Sequence, residues 1–385
     1  MIDNFNINKS NWKLVKLGDV VEEINLREGN PSTSEYKRFV GLEHFISGNL
    51  KIKDWKPTDD LVSAAKVFQS GDILFARRNA YLKRASMVEF DGLCSGDAFV
   101  LREDHTKIEP GYLSFIVNSD SLWEYANSNA AGTMSKRVKW RDLAEYEFLL
   151  PPKDQQAKIA ELLWAMDDVV EKENMLLNKN NIFKRILFNE LHLLRENSCK
   201  NLSELCTKIT SGGTPNRQSK NDYFRGHIPW VKSKELNDWI ISDTEEYLSD
   251  TGIKNSSAKL YPPNTILVAM YGVTVGKIGI IDREMTSNQA CCALIIDDTK
   301  MDRWFLFYYL FALRKRLKAL SVGSAQPNIS LGIIKKLKIP YLTLAEQKIY
   351  SNKLKVIDQN SLSLISRVNV SKQLQKSLIN EMFSS

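Results

Sequence analysis

Predicted strands and helices alternate along the chain, and the same pattern occurs twice. Residues 67–75 (VFQSGDILF) and 260–268 (LYPPNTILV) each place a turn before a short apolar run, which predicts a strand entered from a turn. Other apolar runs predict strands at residues 98–101 and 293–296 and helices at residues 112–127 and 304–320. Strands and helices mixed within each half predict an α+β fold.

Further segments recur in the same order in both halves, at a separation of roughly 190 residues. Besides the strands above, residues 14–24 match 201–209 (LVKLGDVVEEI and NLSELCTKI), 131–138 match 322–329 (AGTMSKRV and VGSAQPNI), and 148–156 match 339–347 (FLLPPKDQQ and IPYLTLAEQ). Several matches in one order indicate an internal duplication.

Each half ends in a predicted long helix. Residues 153–197 contain no proline or glycine, and apolar residues recur there in steps of three and four, as they do from residue 344 onward. This spacing predicts that the two helices pair as an antiparallel coiled coil. Two ordinary helices on separate domain cores are the alternative, but both segments exceed the mean helix length. The predicted helix-pairing seam consists of Ile159, Leu163, Met166, Val170, Leu177, Leu187, Leu191, Leu354, Ile357, Leu364, Val368 and Leu378, and Glu173, Asn180, Lys184, Ser361, Ser371 and Gln375 interrupt it.

The duplication predicts four segments. They are a first globular domain (residues 1–150), a central helix that acts as a spacer (151–198), a second globular domain (199–339) and a C-terminal helix (340–385).

Composition and absent motifs narrow the function classes. Hydrophobic residues make up 43%, charged residues 26%, and the net charge is +7, which suits a folded protein with a polyanionic partner but also an ordinary basic protein. No apolar run is long enough to cross a membrane, so we expect a cytoplasmic protein. The cysteines and histidines lack metal-ligand spacing. The sequence has no [DNS]-PP-[YFW] methyltransferase tetrad, phosphate-binding GxxxxGK[ST] loop or G-x-S-x-G elbow, and Glu35 with Lys37 gives only half of a nuclease motif.

Basic, aromatic and amide side chains occur at equivalent points of the duplication. Arginine can contact guanine, asparagine adenine, and lysine phosphate. We therefore take these residues as DNA-binding candidates, with a solvated surface charge as the alternative at each position. They are Arg77, Arg78, Asn79, Lys83, Arg84, Lys136 and Arg137 in the first half, and Trp230, Lys232, Lys234, Tyr271, Lys277, Gln326 and Asn328 in the second.

Short motifs along the whole chain resemble the specificity subunits of type I restriction-modification systems. They are WKLVKLGDV (residues 12–20), SGDILFAR (70–77) and PPKDQQAKI (151–159) in the first half, and TSGGTP (210–215), IPWVK (228–232), YGVTVGKIGI (271–280) and AEQKI (345–349) in the second. The first half lacks the YGxTVGK loop and has residues 76–84 in its place.

The resemblance implies a non-catalytic subunit whose two target recognition domains each bind one half of a split site in double-stranded DNA. It implies that the helices dock two modification subunits, which supply S-adenosylmethionine and methylate adenine. It also implies that restriction subunits, in systems that have them, use ATP and Mg, and that this chain binds no cofactor or metal itself. A fragment of a fused methyltransferase or restriction enzyme and a scaffold that does not recognise DNA are the alternatives.

Overall fold

The computed structural model describes residues 8–132, 135–193, 198–219, 223–320 and 328–383, and the chain divides into two compact units. Unit 1 comprises Met1–Leu176 and Leu364–Ser385, whereas unit 2 comprises Leu177–Ser363. The C-terminal end of the chain therefore belongs to the same unit as its N-terminal part.

Unit 1 is built mainly from short strands followed by helices. Its strands are β1 (Lys13–Lys16), β2 (Val21–Ile24), β3 (Arg27–Glu28), β4 (Arg38–Val40), β5 (Lys51–Ile52), β6 (Lys56–Pro57), β7 (Ala65–Phe68), β8 (Ile73–Ala76), β9 (Ala85–Val88), β10 (Gly92–Cys94), β11 (Ala98–Glu103) and β12 (Glu147–Leu150). Its helices are α1 (Leu17–Val20), α2 (Leu113–Ile116), α3 (Asp120–Ser128), α4 (Trp140–Leu143) and the beginning of the central helix α5 (Lys153–Leu193).

Unit 2 repeats this order of elements. Its strands are β13 (Cys199–Asn201), β14 (Cys206–Ser211), β15 (Ile228–Val231), β16 (Ile240–Ile241), β17 (Tyr247–Leu248), β18 (Ile266–Ala269), β19 (Ile278–Ile281), β20 (Thr286–Ser287), β21 (Cys291–Ile296) and β22 (Lys338–Pro340). Its helices are α6 (Leu202–Leu205), α7 (Asp250–Lys254), α8 (Arg303–Ala312), α9 (Arg314–Leu320), α10 (Leu331–Lys335) and the beginning of the C-terminal helix α11 (Leu344–Phe383).

The sheets of the two units have matching topology. The strand order β2-β11-β8-β9-β5 in unit 1 corresponds to β14-β21-β18-β19-β16 in unit 2, and the pair β1-β12 corresponds to β13-β22. A second sheet is β3-β7-β10-β4-β6 in unit 1 and β17-β15-β20 in unit 2. The structure thus confirms the predicted α+β class and extends the duplication from sequence segments to strand pairing.

Each predicted helix that precedes a long helix is divided in two. The helix predicted at residues 112–127 is α2 followed by α3, and the one predicted at 304–320 is α8 followed by α9. In unit 1 the break occurs because the Ser119 hydroxyl accepts from the backbone N of Leu122 and caps a new helix. The break makes Asp120 and Arg314 the first residues of α3 and α9.

The two long helices, of 41 and 40 residues, pair in antiparallel orientation. In unit 1, Gln375 Nε2 donates to the Leu163 carbonyl at 3.0 Å and Arg367 contacts Glu173 at 2.7 Å. In unit 2, Asn180 contacts Ser361 at 3.2 Å and Lys184 contacts Asp358 at 2.5 Å. Within each unit the residue number rises along one helix as it falls along the other, and every residue of the predicted seam is buried or half-buried.

Buried glutamines attach the start of each long helix to its unit. Gln156 Oε1 accepts from the Glu109 N at 2.8 Å, and its Nε2 donates to the Pro151 carbonyl at 2.8 Å. Gln347 makes the equivalent contacts with the Asp302 N at 2.7 Å and the Leu342 carbonyl at 2.8 Å. These glutamines are the shared positions of the PPKDQQAKI and AEQKI motifs.

Within the part of the chain that the structure describes, no helix has the length and apolar character needed to span a membrane.

Candidate nucleic-acid interface

Both units carry a hairpin loop of the same length at the same place in the sheet. The first hairpin loop (residues 77–83) joins β8 to β9, and the Ala76 N donates to the Arg84 carbonyl at 2.9 Å across its base. The second hairpin loop (residues 270–276) joins β18 to β19, and the Ala269 N donates to the Lys277 carbonyl at 2.8 Å. Arg84 and Lys277 therefore occupy equivalent positions.

The two hairpin loops share two left-handed backbone positions. Asn79 and Lys83 in the first have φ of 55° and 47°, and Gly272 and Gly276 at the equivalent positions of the second have φ of 66° and 79°. Glycine enters this left-handed region most easily, asparagine less easily, and lysine at a steric cost. The turn between these positions differs, because the Lys83 N donates to the Ala80 carbonyl whereas the Gly276 N donates to the Ala269 carbonyl. The first half lacks the YGxTVGK motif and nevertheless keeps both left-handed positions.

A second segment lies beside each hairpin loop. In unit 1 Arg78 forms a β-bridge with Arg137, and the Val138 N donates to the Arg77 carbonyl at 2.9 Å. In unit 2 Tyr271 forms the equivalent bridge with Asn328, and the Ile329 N donates to the Met270 carbonyl at 2.8 Å. The structure thus brings the two candidate clusters of each half together, while Gln326 lies outside the described residues.

In unit 1 two guanidinium groups share one carboxylate. Arg137 Nε contacts Asp97 at 2.9 Å and Arg78 Nη1 contacts it at 3.5 Å, with both arginine side chains over 40% exposed. The hydrogen bond from Arg137 lowers the pKa of Asp97 despite its partial burial. Arg78 Nε also donates to Ser135 Oγ at 2.7 Å. With exposed Lys136 beside them, these groups form an oriented, positively charged surface.

Three other basic candidates of unit 1 make contacts within the protein. Arg77 lies over the Phe99 ring at 5.2 Å, Arg84 Nη1 donates to the Leu42 carbonyl at 3.0 Å, and Lys83 Nζ contacts Asp120 at 2.6 Å. Arg77 and Arg84 are half-buried, so they support the loop more than they extend its surface.

Trp230, Lys232 and Lys234 do not form the aromatic and basic surface predicted from their spacing. Trp230 is only 2% exposed and donates its Nε1 hydrogen to the Gly213 carbonyl at 3.0 Å, so its prediction as a DNA contact is wrong. Lys232 and Lys234 contact Glu245 at 2.9 and 2.7 Å. The hydrogen bonds from Lys234 and Lys232 lower the pKa of Glu245 to about 2. Lys232 also contacts Glu246 at 3.4 Å, so two carboxylates offset the charges of the two lysines.

The exposed surface of the second hairpin loop is mostly uncharged. Tyr271 is 43% and Val273 is 95% exposed, Asn328 is exposed beside Tyr271, and Lys277 is half-buried at the base of the loop. The two units therefore present different side chains from loops at the same place in the sheet, with arginines on one and a tyrosine and an amide on the other.

One further basic and aromatic cluster was missed by the sequence analysis. The exposed guanidinium of Arg38 lies between the rings of Trp55 and Phe90, at 5.4 and 5.0 Å. These residues are distant in sequence and meet only through the pairing of β4, β6 and β10 in the second sheet. No spacing rule could have found them, and a stacked arginine of this kind is typical of nucleic-acid contacts.

The family model for the type I restriction modification DNA specificity domain matches the chain twice, over residues 9–179 and 195–371. The chain belongs to this family.

Specificity subunits from other organisms are similar to the chain. It is 24% identical over 314 residues to a putative type I restriction enzyme MjaX specificity subunit from Methanocaldococcus jannaschii, covering 75% of this chain and 72% of that protein. It is 29% identical over 147 residues to the MjaIX specificity subunit of the same organism, covering 37% of this chain and 33% of that protein.

The fold is similar to that of a solved specificity subunit. The crystal structure of the type I restriction-modification system S subunit from M. genitalium has a TM-score of 0.65 and 16% identity, covering 100% of this chain and 98% of that one.

The chain is a DNA specificity subunit and not the enzyme of its system. Among the described residues no cluster of histidine, cysteine, aspartate or glutamate is suited to hold a metal ion.

Proposed function

We propose that each unit of this specificity subunit recognises one half of a split DNA site through its hairpin loop and the segment bridged to it. The observation that supports this proposal is the pair of equivalent bridges, Arg78 with Arg137 and Tyr271 with Asn328. The loops have the same length, the same place in the sheet and an equivalent bridge in both units, while their exposed side chains differ. Two recognition domains that bind different DNA sequences need the same loop position with different side chains.

The side chains suit different contacts with DNA. Arg78 and Arg137 can each donate two hydrogen bonds to a guanine edge, and Lys136 can contact a phosphate. Asn328 can pair with an adenine edge, Tyr271 can pack or donate a hydrogen bond, and Lys277 can contact a phosphate. Asp97 orients both arginines, so part of their ordering is completed before DNA binds.

Replacing the two bridged arginines tests the first surface. We expect Arg78→Ala and Arg137→Ala each to weaken binding of the assembled complex by about 1–3 kcal/mol and to relax specificity in one half-site only. Arg141→Ala is the matched control, because this arginine is 76% exposed and forms its ion pair with Asp142, its neighbour in sequence. Unchanged affinity after both replacements would remove this surface from the interface.

Exchange of a whole domain tests whether each recognition domain determines one half of the DNA site. We propose the divisions 1–150 and 199–339 for the recognition domains and 151–198 and 340–385 for the helical spacers. Replacing residues 10–150 with the segment of a related subunit should change one half of the methylated site and leave the other unchanged. Sequencing of methylated adenines in cells measures both halves together, and a change in both would contradict the model.

We also propose that the long helices dock two modification subunits, because they carry apolar side chains outside their shared seam. In unit 1, Leu162, Val169 and Leu176 are exposed, and in unit 2 Phe183 and Val356 are exposed. An apolar groove of about 690 Å³ lies between the helices of unit 2, lined by Phe183, Ile186, Leu187, Val356 and Ile357 with Glu190, Asn352 and Lys353. Exposed apolar patches of this kind are typical of subunit interfaces.

A charge placed in the groove tests this docking surface. We expect Phe183→Asp to reduce the amount of modification subunit that co-purifies with the chain, because the docked state would bury an unpaired carboxylate. Val62→Asp is the control, since Val62 is 97% exposed and lies in the loop between β6 and β7 of unit 1. Equal recovery with both variants would exclude the groove from the interface.

In this proposal the reactive chemistry belongs to the partners. The modification subunits supply S-adenosylmethionine, and restriction subunits, in systems that have them, use ATP and Mg. The alternative function, a scaffold that does not recognise DNA, can be tested by footprinting. The assembled complex would then give no sequence-specific footprint.

A further inference from the structure

The last residue of each hairpin loop contacts the first residue of an equivalent helix. In unit 1, Lys83 Nζ contacts Asp120, the first residue of α3, at 2.6 Å. In unit 2, Arg314, the first residue of α9, donates from Nε to the Gly276 carbonyl at 2.9 Å. Lys83 and Gly276 are the equivalent left-handed positions of the two loops. The junction is thus present in both units, with opposite charges on the helix.

Asn380 holds Asp120 in place through both its carboxylate and its backbone N. Its Oδ2 accepts from Asn380 Nδ2 at 2.7 Å, and its backbone N donates to Asn380 Oδ1 at 2.9 Å. Lys376 contacts the same carboxylate at 3.4 Å. Burial opposes ionisation of Asp120, but the hydrogen bonds from Lys83 and Asn380 outweigh it and keep its pKa below the ordinary value. Lys83 therefore faces a fixed negative charge.

Several contacts also hold the Arg314 side chain in place. Its Nη1 contacts Asp238 at 2.9 Å, its Nη2 contacts the other oxygen of the same carboxylate, and its guanidinium lies over the Phe311 ring at 4.7 Å. Gly276 leaves room for this arrangement, because an added Cβ would approach Arg314 Cγ to 3.2 Å. The cation in unit 2 thus belongs to the helix, whereas in unit 1 it belongs to the loop.

The left-handed position at the end of the loop does not require a charged residue, since unit 2 has glycine there. In unit 1 the lysine at this position places its ammonium group next to the proposed DNA contacts. An unpaired lysine at that place would bind any phosphate and add affinity without sequence information. The contact with Asp120 directs the ammonium group toward α3 instead.

We propose that Asp120 and Arg314 are positioning residues, each of which fixes the recognition loop of its own unit, and that Asp120 also keeps Lys83 from contacting the DNA backbone. This inference rests on the proposed recognition role of the hairpin loops. Asp120 and Arg314 act through the loops and do not contact DNA.

The test uses the complex assembled with its modification subunits and DNA duplexes that carry the cognate site or one scrambled half. We expect Asp120→Asn to reduce discrimination at the first half-site and leave the second unchanged. Binding to unrelated DNA should become more dependent on salt. The slope of log affinity against log salt should be steeper by about 0.9 for Lys83, the released lysine that belongs to the loop, while Lys376, which loses the same partner, lies on the C-terminal helix α11. Arg314→Met should reduce discrimination at the second half-site only.

The double variant Asp120→Asn, Lys83→Gly separates charge from structure. It should return the salt slope toward that of the unmodified complex, because Lys83 is absent, and the left-handed position accommodates glycine, as Gly276 does in unit 2. A salt slope unchanged by Asp120→Asn, or loss of discrimination at both half-sites, would overturn the inference. If the unmodified complex discriminated neither half-site, the proposed function itself would fail, so the two failures are distinguishable.

Discussion

At the two left-handed positions of the hairpin loops, different residue types adopt the same positive φ. Asparagine and lysine do so in unit 1, and glycine does so in unit 2. At Gly272, φ is 66° and an added Cβ would meet no atom of the described residues within 4 Å, so backbone strain is the expected limit on substitution. We expect Gly272→Ala to lower the free energy of unfolding of unit 2 by about 1 kcal/mol. Gly272→Asn should cost less, because asparagine enters this region more readily and Asn79 already does so in unit 1.

Denaturant unfolding followed by hydrogen exchange in unit 2 measures both variants. A greater loss of stability with asparagine than with alanine would contradict the equivalence of the two loops.

Asp167 is a residue whose ionisation opposes folding of unit 1. Its Oδ2 is buried and has no hydrogen-bond partner among the described residues, and burial, with a contribution from Glu171, raises its pKa to about 6. The folded state thus binds this proton more tightly than the unfolded state does. The stability that this proton contributes is present at low pH and is lost as the pH rises to about 6.

We therefore expect Asp167→Asn to raise the free energy of unfolding at pH 7.5 by on the order of 1 kcal/mol and to have less effect near pH 4. Chemical denaturation at both pH values measures the difference. Asp168→Asn is the control, because Asp168 is exposed on the same helix. A gain that is equal at both pH values would exclude this explanation.

At the scale of elements, polar pairs fix how the long helices align. Lys184 and Asp358 are about one-fifth exposed or less, and Lys184 Nζ also lies 5.0 Å from the Phe311 ring. We expect Lys184→Met to destabilise unit 2 by about 1–3 kcal/mol, because Asp358 would remain half-buried without its partner. The double variant Lys184→Met, Asp358→Leu should recover most of this loss.

A double-mutant cycle of unfolding free energies measures the coupling between the two residues. Additive effects would show that the pair does not contribute to helix pairing.

The long helices were predictable because their apolar spacing extends over many turns, whereas other features depend on contacts between distant residues. Trp230 lies between Pro229 and Val231 in β15, and the spacing of nearby lysines could not distinguish a core tryptophan from a surface one. The acidic partners of those lysines, Glu245 and Glu246, follow in the loop between β16 and β17. Asp120 contacts Asn380 across 260 residues of sequence, a relation that no local pattern contains.

At the scale of the whole molecule, the end of the chain completes the unit at its beginning. Leu378, Ile379, Met382 and Phe383 are buried in the core of unit 1, and the Phe383 ring lies 5.9 Å from that of Tyr112. Full burial of an apolar side chain of this size contributes about 1.5–3 kcal/mol. These four residues together therefore approach the net stability of a typical domain.

We therefore expect deletion of residues 364–385 to unfold the N-terminal unit while unit 2, Leu177–Ser363, keeps its protection from hydrogen exchange. Leu378→Asp in the full chain should act in the same direction, because it places an unpaired charge in that core. Val370→Asp is the matched control, since Val370 lies on the same helix and is 60% exposed. Hydrogen exchange resolved by peptide measures each unit in one experiment. Loss of protection in unit 2 with protection retained in unit 1 would show that the end of the C-terminal helix stabilises the other unit.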